Sequence, residues 1–192
     1  QTNFPPISES PLGLRPIIHQ RRSAVALDGR TRIARSAFYR ILQKTLPERN
    51  PIPFDALPWR PCVDLLLFVH RVDGLPPGRY ILLREPARRQ ALEAAINRTW
   101  VWRPPAGCPE VLPLYLLEEG DVRRSAQETS CGQEIASDGV FAAAMLTDYR
   151  ESLEAFGPWF YRRLYWETGL VGQVLYLEAE AGGIRGTGIG CF

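Results

Sequence analysis

The stretch that decides the fold is the last one, residues 163–192, which reads RLYWETGLVGQVLYLEAEAGGIRGTGIGCF. Its apolar residues recur at helical spacing, which predicts a long buried helix from about residue 159 to residue 181. The residues of the predicted apolar face are Trp166, Leu170, Val174, Leu177 and Ala181. Gly182 and Gly183 follow at once and predict the end of the helix, because glycine tolerates the positive φ often found there.

Three further glycines, Gly186, Gly188 and Gly190, make the segment after this helix poor in side chains. Such a segment lets a flat ligand approach the backbone closely. The sequence GTGIG superficially matches a dinucleotide-binding loop, but that motif must follow a strand and begin a helix. Here the glycines follow a helix. The segment is therefore interpreted either as backbone whose N–H groups face a ligand ring or as a plain loop.

A second motif, Arg21-Arg22-Ser23, lies near the other end of the chain. Two guanidinium groups and a hydroxyl within three residues make a good donor set for a phosphate group, since arginine forms bidentate, charge-assisted hydrogen bonds. The same tripeptide is also compatible with a solvated basic turn. Taken together, the two motifs suggest a cofactor with its anionic end near Arg21-Arg22-Ser23 and its ring near the glycine segment.

Length and composition describe an ordinary globular chain. Its 192 residues predict a single domain, 17–192, preceded by a proline-rich N-terminal arm, 1–16. The hydrophobic fraction of 45% is typical of a protein with a folded core. The net charge of +2 gives no support for nucleic-acid binding. No segment reaches the roughly 20 apolar residues of a membrane span, so no membrane partner is expected.

Four widely spaced cysteines and two histidines limit the metal chemistry. No CxxC pair occurs, and only His19 and His70 could complete a zinc site, so no metal site is predicted. Four reduced thiols in a cytoplasmic protein are expected. The sequence also has no HExxH, GxSxG or P-loop motif. The catalytic side chain is therefore left unassigned.

Strands and helices alternate irregularly along the rest of the chain, which is typical of an α+β fold with a largely antiparallel sheet. The predicted strands are 64–72, 79–84 and 111–118. The predicted helices are 17–22, 122–137 and 148–156. The turn DGLPPG between the first two strands predicts a hairpin, and the apolar run 140–147 fits a strand or a buried helix segment. Ser36 is a candidate N-cap for a further helix, which Pro47 ends.

Two groups of side chains leave alternatives open. Glu167 lies in an apolar and aromatic stretch, and we interpret it as a structural partner of Arg162, Arg163 or a backbone N–H rather than as a catalytic base. Three tryptophans flank proline-rich loops, where they either line a pocket or cap the core. These tryptophans are Trp59, Trp100 and Trp102.

Four segments, in this order, resemble the FMN-dependent nitroreductase superfamily and, within it, the SagB-type dehydrogenases. They are IIHQRRSAVALDG (17–29), VDGLPPGRY (72–80), SCGQEIA (130–136) and RLYWETGLVGQVLYLEA (163–179) with the glycine segment after it. The hairpin segment VDGLPPGRY looks particularly like the SagB branch. The resemblance implies a nitroreductase-like α+β fold, with helices flanking a central sheet and the long helix at the core of a homodimer.

The resemblance also implies FMN bound at the dimer interface. The implied FMN-binding residues are Arg21, Arg22 and Ser23 at the phosphate and Gly188, Ile189 and Gly190 at the flavin ring. A backbone donor beside the ring would stabilise the reduced, anionic flavin. Family members continue past this turn with a short acidic segment, a helix and a last strand, so the C-terminal tail of the domain is expected to be missing here.

The activity implied by the resemblance is that of an FMN-dependent oxidoreductase, in which the flavin carries the chemistry and the protein supplies position and electrostatics. In the SagB branch the substrate is a thiazoline or oxazoline in a modified peptide, which is oxidised to the azole. General nitro or quinone reduction is the neighbouring alternative, with NAD(P)H as a candidate electron donor. A second alternative is a flavin-free, non-catalytic scaffold domain in a peptide-modifying complex.

Overall fold

The computed structural model describes residues 13–48, 51–96 and 100–190. The predictions for residues 1–12 and for Cys191 lie outside these residues. The helices are α1 (Leu14–Gln20), α2 (Arg35–Gln43), α3 (Pro51–Phe54), α4 (Arg89–Ala95), α5 (Arg123–Thr129), α6 (Ile135–Asp138), α7 (Tyr149–Phe156) and α8 (Tyr161–Ala181). The strands are β1 (Ile33–Ala34), β2 (Asp64–Val69), β3 (Val72–Asp73), β4 (Gly78–Leu82), β5 (Leu114–Glu119) and β6 (Phe141–Leu146).

The main sheet has four strands in the order β5-β4-β2-β6, and every neighbouring pair is antiparallel. The predicted hairpin is confirmed, since β2 pairs with β4 and Val69 lies opposite Gly78. The apolar run 140–147 contains strand β6, which pairs with β2 along its whole length. A short parallel pair, β1 with β3, lies beside the main sheet. The predicted α+β class with an antiparallel sheet is thereby confirmed.

Strand β2 is apolar at nearly every position because both of its faces are covered. Side chains alternate across a strand, and Leu65, Leu67 and Val69 enter the larger core together with residues of α2 and α8. Phe68 and Leu66 enter a second cluster, formed with residues of α5 and α6. A strand covered on both faces needs a continuous apolar run, which explains the sequence of this segment.

The long helix near the C-terminus is confirmed as α8, but its buried face differs from the prediction. Its buried side chains are Leu164, Glu167, Val171 and Ala179. Leu170 and Val174 pack against the larger core as predicted, whereas half of Trp166 is exposed. Glu167 can occupy the buried face because its charge is neutralised, as described below. Gly183 follows the helix with a φ of 75°, as predicted.

Three local predictions were wrong. The helix over 122–137 is divided into α5 and α6, because Cys131 and Gly132 adopt φ values of 55° and 75°, which cannot continue a helix. Ser36 is not an N-cap, since β1 pairs up to Ala34 and α2 begins directly after it. The proline-rich arm does not extend to residue 16, because α1 begins at Leu14.

The expectation of four reduced thiols is wrong at Cys131, which is disulfide-bonded. Cys62 and Cys108 are free thiols, and burial raises the pKa of Cys108 to about 11. Across residues 13–48, 51–96 and 100–190, the structure contains no helix that is both long enough and apolar enough to cross a membrane.

Candidate anion-binding site

The two predicted motifs meet at one side chain, Tyr176 of α8. Its hydroxyl accepts a hydrogen bond from the Gly188 N–H, with an N···O distance of 2.5 Å. The same hydroxyl shares a hydrogen bond of 3.0 Å with the Ser23 hydroxyl, 153 positions away in the sequence. Beside it, the Ala24 N–H donates to the Gly186 carbonyl at 2.9 Å. We call Arg21, Ser23, Tyr176 and Gly188 the Tyr176 cluster.

The two arginines of the first motif have different roles. The Arg21 guanidinium lies over the Tyr176 ring, 5.0 Å from its centroid. The Arg22 guanidinium turns back and donates to the His19 and Arg21 carbonyls at 3.0 and 2.8 Å. These carbonyls lie at the end of α1, where the backbone has no helical partner. Among the described residues, neither arginine forms an ion pair with a carboxylate.

The chemistry of this donor set fits a phosphate group. A phosphate monoester carries nearly two negative charges and accepts hydrogen bonds at three oxygens. Arg21 supplies a cation that no described carboxylate neutralises, and Ser23 supplies a hydroxyl in an exposed position. Arg21 and Ser23 are therefore compatible with the phosphate of FMN, whereas the Arg22 guanidinium is already bound to backbone carbonyls.

The glycine segment is arranged differently from a simple ring-facing turn. The Gly188 N–H is already donated to Tyr176. Ile189 packs against the apolar cluster of β2, α5 and α6. At Gly190 an added Cβ would meet nothing within 4 Å. The segment is thus fixed at Gly188 and Ile189 and open at Gly190.

A cavity of about 530 Å³ lies elsewhere, and none of the predicted site residues lines it. Its cations are already engaged. Arg71 donates to the carbonyls of Ser137, Asp138 and Gly139, and Arg123 donates to Asp121 at 2.9 Å. An incoming anion would have to compete with these partners, so this cavity fits an anion less well than the Tyr176 cluster.

His70 lines the same cavity but is almost fully buried, with 7% of its surface exposed. Its Nε2 lies 3.0 Å from the Ala136 carbonyl oxygen, and its Nδ1 has no partner within the described residues. Burial lowers the pKa of His70, which favours the neutral imidazole. In the part of the chain that the structure describes, no group of three or more histidine, cysteine or acidic side chains is placed to hold a metal ion.

The second polar site on α8 is a buried ion pair between Glu167 and Arg84, which are 0% and 3% exposed. The Glu167 carboxylate also accepts hydrogen bonds from the Cys62 N–H at 3.0 Å and the Val63 N–H at 3.1 Å. The predicted structural role of Glu167 is confirmed, but its charged partner is Arg84 rather than Arg162 or Arg163. We call Arg84, Glu167 and their hydrogen-bond partners the Glu167 network.

The arginine end of this network is also satisfied. Arg84 donates through Nε to the Thr45 carbonyl at 2.8 Å and through a terminal nitrogen to the Val63 carbonyl at 3.0 Å. Its guanidinium carbon lies 4.8 Å from the centroid of the Phe54 ring. Burial lowers the pKa of Arg84 and the Glu167 charge opposes that shift, so the guanidinium stays charged at neutral pH.

The three tryptophans cap apolar surfaces rather than line the cavity. Trp100 and Trp102 pack against the buried residues of β4 and β5. Trp59 packs edge-on against Phe160 and its indole N–H lies 3.3 Å from a Glu167 oxygen. Arg163 stacks on Trp166 instead of pairing with Glu167, with its guanidinium carbon 3.8 Å from the ring centroid.

Sequence reasoning missed both Tyr176 and Arg84. Arg84 ends an apolar strand run and Glu167 interrupts an apolar helix. Two opposite charges in apolar surroundings could have predicted their pairing, since buried charges need partners. Tyr176 gave no comparable signal, because a tyrosine on a helix is ordinary whether it binds anything or not.

Comparison with known proteins finds a match in fold. The structure of a protein assigned as a nitroreductase in Anabaena variabilis aligns with 91% of this chain, at a TM-score of 0.62 and 20% sequence identity. The fold is nitroreductase-like. This chain spans 33% of the length of that protein. No family model matches the sequence, and no curated protein matches it.

Proposed function

We propose that this chain is an FMN-dependent oxidoreductase domain of the nitroreductase superfamily. The observation that carries the proposal is the meeting of Arg21 and Ser23 with the glycine segment at Tyr176, within a nitroreductase-like fold. Arg21 and Ser23 would hold the phosphate of FMN. When bound, the flavin supplies the redox chemistry, because no protein side chain carries out two-electron hydride exchange by itself.

The residues of this chain would bind and orient the cofactor. Arg21 offers a charge that is not neutralised by a described carboxylate, and hydrogen bonds to charged groups contribute about 1.5–3 kcal/mol each. Ile189, anchored on the apolar cluster of the sheet and α5–α6, would fix the distance between the glycine segment and the ring. Gly190 leaves room for close approach.

The substrate proposed is a thiazoline or oxazoline in a modified peptide, which would be oxidised to the azole. The support for this SagB-type activity is the sequence of the hairpin VDGLPPGRY, residues 72–80. General nitro or quinone reduction is the neighbouring activity, and the two differ in substrate size and in whether NAD(P)H is needed. A cytoplasmic location stays a prediction.

A homodimer is proposed as the working unit. Phe156, Trp159 and Trp166 are each about half exposed, at 48%, 54% and 50%. Aromatic side chains are enriched at protein interfaces, where they remove a large apolar area from water. A second copy of the chain would cover them. Sedimentation of the wild type and of Trp166→Glu would test this, with a dimer expected for the first and a monomer for the second.

The deciding experiment is a visible absorption spectrum after incubation with excess FMN and gel filtration. The wild type is expected to retain flavin, and the double variant Arg21→Ala/Ser23→Ala is expected to lose it. Arg150→Ala, which removes an exposed arginine from α7, is the matched control and should retain flavin. Equal flavin content in the wild type and the double variant would contradict the phosphate-site assignment.

A flavin-free scaffold domain is the second candidate, and one observation favours it. The Gly188 N–H, which was predicted to face the ring, is donated to Tyr176. A wild-type protein that stays colourless after gel filtration would support this candidate. In that case a chain extended at its C-terminus would show whether a further segment is needed for flavin binding.

A further inference from the structure

The Ser23 and Tyr176 hydroxyls have two hydrogens between them, and their hydrogen bonds within the described part of the protein use only one. Each hydroxyl has one hydrogen, and the 3.0 Å bond between them uses one of the two, whichever group donates. The Gly188 N–H occupies one acceptor position of the Tyr176 oxygen. The remaining hydroxyl hydrogen has no partner among the described residues and lies at an exposed position, where a ligand can reach it.

The polarity of this hydroxyl pair favours donation to an anion. A hydroxyl oxygen that accepts hydrogen bonds becomes a stronger donor, because the bonds polarise one another. The Tyr176 oxygen accepts from the Gly188 N–H. That bond strengthens the donation by Tyr176, either directly to a ligand or through Ser23.

Arg21 places a positive charge at the same ring. Its guanidinium carbon lies 5.0 Å from the Tyr176 ring centroid. The tyrosine therefore has two roles. Its ring contacts the Arg21 guanidinium, and its hydroxyl forms hydrogen bonds to both Ser23 and Gly188. A cation beside a spare hydroxyl hydrogen is the combination that binds a phosphoryl oxygen well.

We propose that Tyr176 is the residue that assembles this anion site. The hydroxyl hydrogen that the Ser23–Tyr176 bond leaves unused donates a hydrogen bond to a phosphoryl oxygen. The identification of the anion with the FMN phosphate rests on the proposed function. The site itself requires only a phosphoryl oxygen. The Gly188 N–H then serves to hold Tyr176 rather than to contact the flavin ring.

The test compares three probes on matched variants. The probes are FMN, riboflavin, which lacks the phosphate, and inorganic phosphate. Tyr176→Phe keeps the ring under Arg21 and removes the hydroxyl. The control is Tyr161→Phe, which breaks another hydrogen-bonded hydroxyl pair near the start of the same helix. The Tyr161 and Tyr165 hydroxyl oxygens lie 3.0 Å apart. Flavin binding is followed by fluorescence quenching and phosphate binding by calorimetry.

We expect Tyr176→Phe to weaken binding of FMN and of inorganic phosphate by about tenfold, because the Ser23 hydroxyl keeps its hydrogen but is no longer positioned and polarised by the Tyr176 hydroxyl. Riboflavin binding should be unchanged, and the control should bind all three probes as the wild type does. Ser23→Ala should show the same selective loss. The double variant of Ser23 and Tyr176 has no hydroxyl hydrogen left to donate and should therefore bind phosphate more weakly than either single variant.

The outcomes separate this inference from the proposed function. If the wild type binds phosphate but not FMN, and Tyr176→Phe binds phosphate more weakly, the anion site is supported and the flavin enzyme is contradicted. Unchanged phosphate and FMN affinity in Tyr176→Phe would overturn the inference, and so would an equal loss of riboflavin binding. A wild type that binds neither phosphate nor FMN would overturn both. If Tyr176→Phe does not fold, Ser23→Ala alone decides on the same criteria.

Discussion

Helix α8 carries two polar sites of opposite character. In the Glu167 network, both charged groups are buried and their polar atoms are bound to protein partners. In the Tyr176 cluster, further along the same helix, the polar groups are exposed and a hydroxyl hydrogen is left over among the described residues. The first site is closed to ligands, while the second has donors to offer.

The difference shows how burial decides what a polar group does. A buried charge without partners is very costly, so a buried charged pair must be satisfied within the protein, and removing one partner is strongly destabilising. An exposed donor can exchange partners with water at little cost. The Glu167 network therefore holds α8 against the segments just before β2 and just after β4, and the Tyr176 cluster is suited to binding.

The largest expected effect is on the Glu167 network. Glu167→Gln keeps the shape of the side chain but removes the charge that offsets Arg84 and places amide donors among other donors. We expect the free energy of unfolding to fall by about 3–5 kcal/mol, measured by urea denaturation. Glu93→Gln breaks a matched arginine–glutamate pair of 2.8 Å that is more than a third exposed, and it should cost less than about 0.5 kcal/mol. An equal fall in the free energy of unfolding for Glu167→Gln and Glu93→Gln would contradict the distinction between buried and exposed polar sites.

The second largest expected effect is that salt weakens binding at the Tyr176 cluster but leaves the stability of the Glu167 network nearly unchanged. Raising NaCl from about 0.1 M to about 1 M shortens the screening length from about 10 Å to about 3 Å. The affinity of the Arg21 site for FMN should fall by roughly tenfold, because that cation is accessible to ions. The cost of Glu167→Gln should stay within about 0.5 kcal/mol of its low-salt value, since the buried pair is poorly screened. A salt-independent FMN affinity would argue against phosphate binding at Arg21.

A smaller effect is expected for the stability of Tyr176→Phe. The two hydrogen bonds of the Tyr176 hydroxyl are exposed, so water can replace them. We expect the free energy of unfolding to fall by about 1 kcal/mol or less, and the Gly188 amide to exchange its hydrogen faster. A loss as large as that of Glu167→Gln would mean that the cluster is structural rather than open.

The smallest effect concerns Asp28, in the loop after Ser23. Its carboxylate accepts hydrogen bonds from the Thr31 hydroxyl at 2.6 Å and from the N–H groups of Thr31 and Arg30, each at 2.8 Å. These bonds, led by the Thr31 hydroxyl, lower the pKa of Asp28 from 3.8 to about 2.

A depressed pKa stabilises the fold above the unfolded value and loses that effect as the pH falls through the folded value. Asp28→Asn should therefore be less stable than the wild type at pH 5, and the two should converge as the pH falls from about 4 to about 2. Urea denaturation at each pH would show this, and an NMR titration of the Asp28 carboxyl would measure the pKa directly. A difference that persists below pH 2 would assign the effect to shape rather than charge.

Several features of the fold could be predicted because short sequence patterns encode them. The period of apolar residues in 163–181 predicted α8, and the turn DGLPPG between two apolar runs predicted the β2–β4 hairpin. The predictions failed where a local pattern was interrupted by backbone geometry. The division between α5 and α6 depends on positive φ at Cys131 and Gly132, and a helical pattern in sequence does not reveal it.

The sequence by itself determined the donors of the candidate site. Arg21, Ser23 and the glycine segment follow from residue type and spacing, because charge and hydrogen-bonding capacity belong to the residues themselves. Only the tertiary structure decided that Tyr176 joins them, that Arg84 neutralises Glu167, and which face of α8 is buried. These are contacts between residues far apart in the chain, and they form only when the sheet and α8 pack together, so no local pattern specifies them.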